Sequence, residues 1–463
     1  MAIAETIESM RENLSNAYTS LEGKGATIPT DKNLYNLAST IDTVTAGGGE
    51  EDLSVELTAQ DVAITELEEV ANSLPDAAGG GGVTDGLARY IAGDTTLTEL
   101  KASDFGSIES LAKYAFYRPT SGSTYNPVTL KKIGLPNTIT TIGIHAFSNH
   151  PVEEITGIDF DKLTSLRYIF SGTTNLSKIN NNTLLLNRNV SHEYLFNQGG
   201  GKLQDLKVTI DLTNTSAQSF RYAFAGIGNQ TGTTLGTSQN EFVINGDMTS
   251  MSSNSLNYMF SGVRAKKVIF KDATGYKSSS AITPFNYMFQ YCYIDEVEFT
   301  KATHLYSGTS GGYRMFQTSK IGRLRLPALT TTLYVFYGSS NPIEKIFLGS
   351  NCALSSTSDI QTNSKYFFPY DNYYTYAETT NWITKFNTTV GTTDTKMFAY
   401  KDFNEGDYLE ESWGGQFADD SYRTYTIEWF EDDDFTIPVT GVTSKAGTHY
   451  ARFTLTEYNK EIA

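Results

Sequence analysis

Hydrophobic positions in the middle of the chain follow a pattern that phenylalanine sets. Ten phenylalanines each follow a hydrophobic residue or alanine, with a mean gap of about 28 residues, which is typical of repeat architectures. These positions are Phe116, Phe147, Phe170, Phe196, Phe224, Phe260, Phe289, Phe316, Phe336 and Phe368. One such unit cannot bury both sides of its phenylalanine, whereas stacked units can. The pattern therefore predicts an array of repeats that folds as a whole.

A second hydrophobic pattern comes after the phenylalanines and predicts short strands. After three of them, hydrophobic residues stand five, eight and ten positions further on, and after Phe336 the same trio is shifted by two. The trios are Ala265, Val268, Phe270; Ile294, Val297, Phe299; Ile321, Leu324, Leu326; and Ile343, Ile346, Leu348. Because the last two members alternate with a single residue between them, each unit is predicted to contain a helical or turn piece with the phenylalanine, a turn and a strand. The repeat register between residues 176 and 250 stays open at this point.

An aromatic column stands two residues before the phenylalanines. Eight of its ten members are tyrosine, and equivalent positions of a solenoid stack, so a ladder of rings is predicted. The candidate surface ladder consists of Tyr168, Tyr194, Tyr222, Tyr258, Tyr287 and Tyr334. It is either a structural ladder between the turns, with its hydroxyls at the surface, or a stacking platform for sugar rings. The structural interpretation is favoured, because a column present in nearly every unit usually serves packing.

The segment Leu130–Phe147 carries a family resemblance. Its order of leucine, isoleucine, leucine-proline, a turn, isoleucine-glycine and alanine-phenylalanine resembles the BspA-type leucine-rich repeat. Residues Phe367–Trp382 resemble the segment that often closes such arrays. The resemblance implies a leucine-rich-repeat solenoid with a terminal cap over residues 86–403, and it implies a role in adhesion.

The first 85 residues have a different period. Hydrophobic residues from Ile3 to Leu21, and again from Leu53 to Leu74 with the polar Gln60 among them, are spaced alternately by four and three, which is typical of coiled-coil seams. We expect a helical oligomerisation or anchor segment at 1–45 and a second short coiled coil with glycine linkers at 46–85. Seams of about three heptads need partners, either elsewhere on the chain or on identical chains. The glycine linkers favour a homo-oligomer through residues 1–75, with a trimer as the expected copy number.

Residues Leu21–Ala38 carry a second, shorter resemblance. They resemble a segment near the N-terminus of many phage tail and other virion proteins. This resemblance implies contact with other virion proteins at the N-terminus.

Residues 404–463 break the repeat pattern and predict a small β-rich domain. Strands are expected at Tyr425–Phe430, Phe435–Ile437 and Tyr450–Leu455. The acidic run Glu431–Asp434 is interpreted as a solvated turn, because it lacks the alternating ligands and closing glutamate of a calcium loop. The predicted fold class is thus mixed α+β, with N-terminal coiled-coil helices, a leucine-rich-repeat solenoid and a small β-domain.

Charge is distributed unevenly along the 463 residues. The net charge is −17, and the ends carry −13 over residues 1–85 and −9 over residues 404–463, which leaves +5 for residues 86–403. So small a net positive charge over so many residues argues against a nucleic-acid partner, although it allows weak attraction to anionic polysaccharide. No apolar run reaches the ~18 residues of a membrane span, so no membrane partner is expected. The N-terminus does not resemble a secretory signal, and two cysteines exclude a disulfide scaffold.

Catalytic and metal motifs are missing from the sequence. The five histidines form no metal-binding pair, and no phosphate loop occurs, so we expect no cofactor, no metal and no catalytic residue. Gly308–Gly312 fits the nucleophile-elbow pattern, but its serine-, threonine- and glycine-rich surroundings favour a loop.

These observations lead to a functional hypothesis. The order of seam, linker, array and terminal domain favours a bacteriophage fibre or appendage protein that attaches to a host cell-surface glycan or protein. Such a protein is made in the host bacterial cytoplasm and resides in the virion. The alternatives are a bacterial surface adhesin of the BspA type and, less favoured, a polysaccharide depolymerase.

Overall fold

A computed structural model describes most of the repeat region and part of the C-terminal region. The described residues are 15, 18–19, 85–91, 94–118, 129–187, 189–212, 219–246, 255–271, 285–300, 314–326, 343–349, 364–370, 397–409, 412–413 and 423–458. The chain divides into two compact units, Met1–Asn181 and Asn182–Ala463.

The first unit is built from very short parallel strands. In the part of this unit that the structure describes from residue 85 onward, the helical elements are α1 (Asp85–Ile91) and a 3₁₀ helix (Ala102–Phe105). Its strands are β1 (Glu99–Leu100), β2 (Ser110–Leu111), β3 (Lys132–Gly134), β4 (Thr141–Ile142), β5 (Glu154–Thr156) and β6 (Lys178–Ile179). One parallel sheet has the order β1-β3-β5-β6, and β2 pairs with β4 in a second. Leu100, Ile133, Ile155 and Ile179 lie in register on the buried side of the first sheet.

The second unit contains a sheet of twelve strands. Its parallel strands are β7 (Thr183–Leu186), β8 (Lys207–Asp211), β9 (Glu241–Asn245), β10 (Arg264–Phe270), β11 (Tyr293–Phe299), β12 (Lys320–Leu326), β13 (Ile343–Leu348), β14 (Lys365–Pro369) and β15 (Met397–Phe403). Antiparallel strands come next: β16 (Ser412–Trp413), β17 (Arg423–Phe430) and β18 (Gly447–Tyr458). β18 pairs with β15, so these last strands belong to the same sheet.

The predicted strands are confirmed in β10 to β13. Every member of the four trios from Ala265 to Leu348 is at most 2% exposed. Val268, Val297, Leu324 and Ile346 pair in register across the four strands. The register that the sequence left open is now set, because Leu184, Val208 and Phe242 align across β7, β8 and β9.

The phenylalanines form the inner stack that the repeat pattern predicts. Successive rings lie nearly parallel within each unit. The centroid distances are 5.2 Å for Phe116–Phe147, 5.7 Å for Phe147–Phe170, 6.3 Å for Phe196–Phe224, 5.7 Å for Phe224–Phe260, 5.5 Å for Phe260–Phe289 and 5.3 Å for Phe289–Phe316. Phe336 lies outside the described residues. Phe368 breaks the series, because it lies in strand β14 and not in a turn.

Each of the eight phenylalanines from Phe116 to Phe316 lies in a turn, and the backbone of these turns forms a second hydrogen-bonded ladder. In the repeat of Phe224, the N–H groups of Tyr222, Phe224 and Gly226 donate to carbonyls of the next repeat at 3.1, 3.0 and 2.8 Å. The N–H groups of the residues between them donate three residues back within the same turn. The alternation needs left-handed backbone two residues before and two residues after the phenylalanine, where Tyr222 has φ 55° and Gly226 has φ 85°. Because every second donor leaves for the next repeat, the turn cannot become an α-helix.

The outward face of the strands carries a ladder of charged residues, which alternates in sign in the first unit and as far as Arg323 in the second, where two further positive charges follow. In the first unit, Glu99, Lys132, Glu154 and Lys178 align across the four strands. In the second unit, the aligned residues are Lys207, Glu241, Lys267, Glu296, Arg323, Lys345 and Lys365. Lys207 pairs with Glu241 at 2.9 Å and Lys267 with Glu296 at 3.0 Å. Opposite charges on neighbouring strands stabilise this register.

The predicted mixed α+β fold class is wrong, because the described residues form a β-rich repeat fold. The described array consists of parallel strands and turns, and the piece that carries each phenylalanine from Phe116 to Phe316 is a turn and not a helix. The predicted coiled-coil segments, 1–45 and 46–85, lie outside the described residues, apart from helical backbone at Ser15, Tyr18, Thr19 and Asp85.

The C-terminal strand predictions were right in two cases of three. The predicted strands at Tyr425–Phe430 and Tyr450–Leu455 lie within β17 and β18. The predicted strand at Phe435–Ile437 is wrong, since this segment lies in the loop between β17 and β18. The Asp432 carboxylate accepts the N–H groups of Thr436 and Ile437, and these bonds fold the segment into a turn. The domain boundaries at 45, 85 and 403 stay predictions.

Candidate functional site: the tyrosine ladder

The aromatic column occupies left-handed backbone in both units. Tyr114, His145, Tyr168, Tyr194, Tyr222, Tyr258, Tyr287 and Arg314 all have φ between 53° and 66°. This conformation costs an L-residue roughly 1–2 kcal/mol, and bulky side chains rarely adopt it. The hydrogen-bonded turn ladder offsets that cost. The N–H of Tyr194 donates to the carbonyl of Arg221 at 2.9 Å, and the N–H of Tyr258 donates to that of Asn286 at 3.1 Å.

Ring stacking is the second compensation. In the second unit, the centroid distances are 5.0 Å for Tyr194–Tyr222, 4.5 Å for Tyr222–Tyr258 and 4.7 Å for Tyr258–Tyr287, with interplanar angles of 15°, 5° and 6°. In the first unit, His145 lies between two tyrosines, 5.3 Å from Tyr114 and 4.5 Å from Tyr168. Because neighbours cover the faces of the inner rings, the ladder presents ring edges and hydroxyls to the outside.

The hydroxyls of the second unit form a row of neutral polar groups. Burial, together with the nearby Tyr222 and Tyr287, raises the pKa of Tyr258 to about 12. Burial also raises the pKa of Tyr222, to which Tyr258 is hydrogen-bonded. Both phenols therefore keep their protons at neutral pH, and each can donate and accept a hydrogen bond.

His145 takes the place of a tyrosine in the first unit. Burial, together with the positive charges of Lys113 and Arg167, lowers the pKa of His145 to about 4. The ring is therefore neutral at pH 7, which suits a position between stacked aromatic rings. Its Nδ1 lies 3.0 Å from the Ser148 hydroxyl, which donates to the carbonyl of Tyr168 at 2.8 Å.

Basic side chains stand beside the ladder, each directly before a ladder tyrosine. Lys113 Nζ lies 4.9 Å from the ring centroid of Tyr114, and the Arg167 guanidinium lies 5.8 Å from that of Tyr168. The guanidinium of Arg221 lies 5.9 Å from the centroid of Tyr194 and 5.6 Å from that of Tyr222. Cation–π attraction of this kind is worth about 0.5–1 kcal/mol at exposed sites. The ladder thus combines phenol hydroxyls with positive charge.

The structure places most of the predicted ladder residues in these rows. Tyr194, Tyr222, Tyr258 and Tyr287 form one stack, and Tyr168 belongs to the row of the first unit. Tyr334 lies outside the described residues. Tyr366 belongs to strand β14 and pairs with Ile346, so it is not a ladder residue. Whether the ladder binds anything stays a prediction.

Sequence reasoning missed the cations and the left-handed backbone. The cations had a sequence signal, since Lys113-Tyr114, Arg167-Tyr168 and Arg221-Tyr222 are repeated basic-tyrosine pairs. The left-handed backbone had a partial signal. Glycine or asparagine often stands two residues after the phenylalanine, as at Asn149 and Gly172, but tyrosine itself does not predict positive φ.

The acidic run Glu431–Asp434 takes part in contacts within the protein. Asp433 lies 2.7 Å from Lys345 and 3.5 Å from Arg323, and Asp434 lies 2.8 Å from Lys345. Among the described residues there is no group of three or more histidine, cysteine or acidic side chains that is suited to a metal ion. The elbow-like segment Gly308–Gly312 and Cys352 lie outside the described residues. Cys292 is a buried free thiol, and burial raises its pKa to about 12.

Comparison with known proteins agrees with the repeat geometry. Residues 93–225 match the BspA type leucine rich repeat region in six copies. This part of the chain is therefore a BspA-type leucine-rich-repeat region, and the expected resemblance is confirmed for it. A search of curated proteins finds no match to the chain. The expected relation to bacteriophage virion proteins has no support from these comparisons. In the described part of the chain, no helix has the length and apolar character to cross a membrane.

Proposed function

We propose that this chain is a surface adhesin of the BspA repeat type, a non-enzymatic protein that contacts ligands on a cell surface. The observation that carries the proposal is the row of stacked tyrosines on the turn ladder, which presents hydroxyls at regular spacing. Tyrosine supplies a large, rigid and amphipathic contact surface at low entropic cost. Repeated weak contacts along an array gain avidity without any strong single site.

The neighbouring column of the second unit supports the same function. One residue after the phenylalanines stand polar or small side chains, among them Asn197, Ser261, Gln290 and Gln317. The Gln290 amide donates to the side-chain oxygen of Gln317 at 2.7 Å, which orients both side chains. Tyrosine with asparagine, glutamine and serine is a composition that suits adaptable hydrogen bonding to a polar ligand.

The virion-fibre role is not carried forward, because no observation on the described residues favours it over an adhesin. The homo-oligomer through residues 1–75, the contacts with other virion proteins and the virion location stay predictions. A host cell-surface glycan or protein remains the proposed partner class for the adhesin.

Binding to cells tests the proposal directly. Fluorescently labelled full-length chain is incubated with bacterial and cultured animal cells, and bound chain is measured by flow cytometry. We expect saturable binding that falls after periodate oxidation of surface sugars or after protease treatment of the cells. The absence of saturable binding on every cell type would contradict the adhesin function, and so would release of reducing ends from surface polysaccharide.

A hydroxyl variant links binding to the ladder. The triple variant Tyr222→Phe, Tyr258→Phe, Tyr287→Phe keeps the stacked rings and removes the hydroxyl row. The matched control is Tyr291→Phe with Tyr408→Phe, because these tyrosines are 50% and 78% exposed and lie outside the ladder. We expect the triple variant to bind cells several-fold more weakly and the control to bind normally. Equal binding by both would remove the ladder from the proposal.

A further inference from the structure

Cations on the two faces of the repeats differ in their partners. On the strand face, Lys132 and Lys178 pair with Glu154 at 3.6 and 2.5 Å, and Lys207 pairs with Glu241 at 2.9 Å. On the turn face, Lys113 and Arg221 are exposed, and neither pairs with a carboxylate anywhere in the described residues. These strand-face lysines are thus neutralised by carboxylates of neighbouring strands, whereas Lys113 and Arg221 keep their positive charge available for an outside partner.

The charges on the turn face act on the same ladder that presents the hydroxyls. Lys113 and Arg167 both act electrostatically on His145, which lies between Tyr114 and Tyr168. In the second unit, Arg221 lies over two consecutive rings of the stack. A fixed positive charge next to a row of hydroxyls matches a polymer that carries anionic groups and hydroxyls in repeating order.

We propose that the turn face, through Lys113, Arg221 and the neighbouring tyrosine hydroxyls, binds an anionic polysaccharide that carries carboxylate or sulfate groups. This inference rests on the adhesin function and names its ligand class. Cations contribute electrostatic attraction and counterion release, and phenol hydroxyls bind the sugar hydroxyls and acidic groups. Each unit carries its own cation beside its own tyrosines, so each is a contact by itself.

Single-stranded nucleic acid is the competing anionic polymer, and the geometry disfavours it. Such binding depends on open aromatic faces on which bases stack. Here neighbouring rings cover those faces, since Tyr222 lies 5.0 Å from Tyr194 and 4.5 Å from Tyr258 with nearly parallel planes. Hydroxyl edges remain, and these suit sugars better than bases.

Binding of defined polymers tests the inference. Full-length chain is titrated with polygalacturonate, heparin, neutral dextran and single-stranded DNA at about 50 mM and 200 mM salt. We expect binding to polygalacturonate or heparin that weakens as salt rises, with dextran and DNA at least tenfold weaker. Tighter binding of DNA, or equal binding of dextran, would overturn the proposed ligand class.

A matched pair of variants locates the site. The double variant Lys113→Gln, Arg221→Gln removes one turn-face cation from each unit. The control Lys132→Gln, Lys207→Gln removes the same charge from the strand face, where the two side chains are 58% and 44% exposed. We expect about a tenfold loss of polyanion affinity in the turn-face variant and less than a twofold change in the control. Equal losses in both would mean unspecific attraction and would overturn the site.

The cell-binding and polymer experiments fail in different ways. A chain that binds cells but neither polyanion keeps its adhesin function, and only the ligand class is wrong. A chain that binds polyanions through Lys113 and Arg221 but binds no cell keeps the site and loses the adhesin function. Circular dichroism and urea unfolding of each variant confirm that the compared proteins are folded.

Discussion

At the scale of single residues, the most informative feature is tyrosine in left-handed backbone. Glycine usually takes such positions, because it alone avoids the steric cost. Here that cost recurs in repeat after repeat, and hydrogen bonds to the next repeat and ring stacking on both sides offset it. Each tyrosine is therefore stabilised by neighbouring repeats and not by its own segment. The same contacts that hold the array together fix the position of the hydroxyl row.

Replacing Tyr222 by glycine or alanine separates backbone strain from stacking. Both Tyr222→Gly and Tyr222→Ala lose two stacked pairs, worth about 0.5–1.5 kcal/mol each. Alanine keeps the strain and glycine relieves it, so we expect the glycine variant to be the more stable of the two by about 1 kcal/mol. Urea unfolding measures both free energies.

Thr209 on strand β8 provides the control for this comparison of the glycine and alanine variants. Its φ is not positive, so Thr209→Gly is expected to be about 0.5–1 kcal/mol less stable than Thr209→Ala. The order of glycine and alanine should thus reverse between the two sites. The same order at both sites would show that the turn does not impose left-handed backbone on Tyr222.

The buried side chain of His192 should make the stability of the fold depend on pH. His192 lies parallel to Phe220 with centroids 4.4 Å apart, and burial lowers its pKa to about 3. The unfolded chain takes up this proton near the ordinary pKa of about 6.5. Between pH 3 and pH 6.5, the unfolded state therefore binds more protons than the folded state. The stability contributed by neutral His192 is complete above pH 6.5 and is lost as pH falls toward 3.

The variant His192→Phe tests this dependence while keeping an aromatic ring in the stack. Between pH 6.5 and 4, the free energy of unfolding should fall less steeply in the variant than in the parent protein as the pH decreases. The two slopes should differ by about 1.4 kcal/mol per pH unit. Urea unfolding at half-unit steps of pH measures the difference. Parallel curves for the variant and the parent protein would mean that His192 is not buried in its neutral form.

At the scale of elements, the sequence predicts strands well and turns poorly. Strands β10 to β13 follow from alternation, because Val268 and Phe270 face the core with one outward residue between them. The turn has no such local signal, since the N–H partners of Tyr222, Phe224 and Gly226 lie about 35 residues away in the next repeat. The ladder was found from its spacing alone. Its covered faces and its cations appear only when the repeats are stacked.

The charge ladder also belongs to this scale, because it depends on the pairing of strands. Glu241 lies between Lys207 and Lys267 in the register of the sheet. Its carboxylate lies 2.9 Å from the ammonium group of Lys207. Glu241→Lys should lower the free energy of unfolding by about 1–2 kcal/mol, because like charges then face each other across strands. The deficit should shrink in 1 M salt, which screens exposed charges. Urea unfolding at both salt concentrations measures it.

A charge swap provides the control for that variant. Adding Lys207→Glu to Glu241→Lys restores one opposite pair, so part of the lost stability should return. A double variant no more stable than Glu241→Lys alone would show that the ladder contributes nothing to register.

At the scale of the whole molecule, both units share one construction but end differently in the described residues. The second unit closes its parallel strands with the antiparallel strands β16 to β18, and the loop between β17 and β18 crosses the outward face of the sheet. There Phe347, Phe367, Phe398 and Tyr450 form a buried aromatic cluster, against which Phe435 of the loop packs. An outward face that carries charge in β8 to β12 thus becomes a second core near its end.

Asp433 holds this loop in place. Its carboxylate bridges Lys345 and Arg323, and the Lys345 and Asp433 side chains are only 15% and 16% exposed. Burial lowers the pKa of Lys345, but hydrogen bonds to Asp433 and Asp434 raise it more, so the net shift is upward. Asp433→Asn should cost about 1–3 kcal/mol of unfolding free energy, because it takes the buried carboxylate from Arg323 and Lys345 and leaves Lys345 with the exposed Asp434. It should also increase binding of a hydrophobic dye, because a loosened loop uncovers Phe347 and Phe367.

Asp434→Asn is the matched control, since Asp434 lies 2.8 Å from the same lysine but is 61% exposed. An exposed pair contributes at most about 1 kcal/mol, so this variant should unfold close to the parent protein and bind no additional dye. The comparison separates the closing role of the loop from its charge, because both variants remove one carboxylate from one acidic run. Equal effects would show that the loop is held by general attraction to the cations. A larger effect of Asp433→Asn would show that the sheet depends on this one buried contact to cover its outward aromatic cluster.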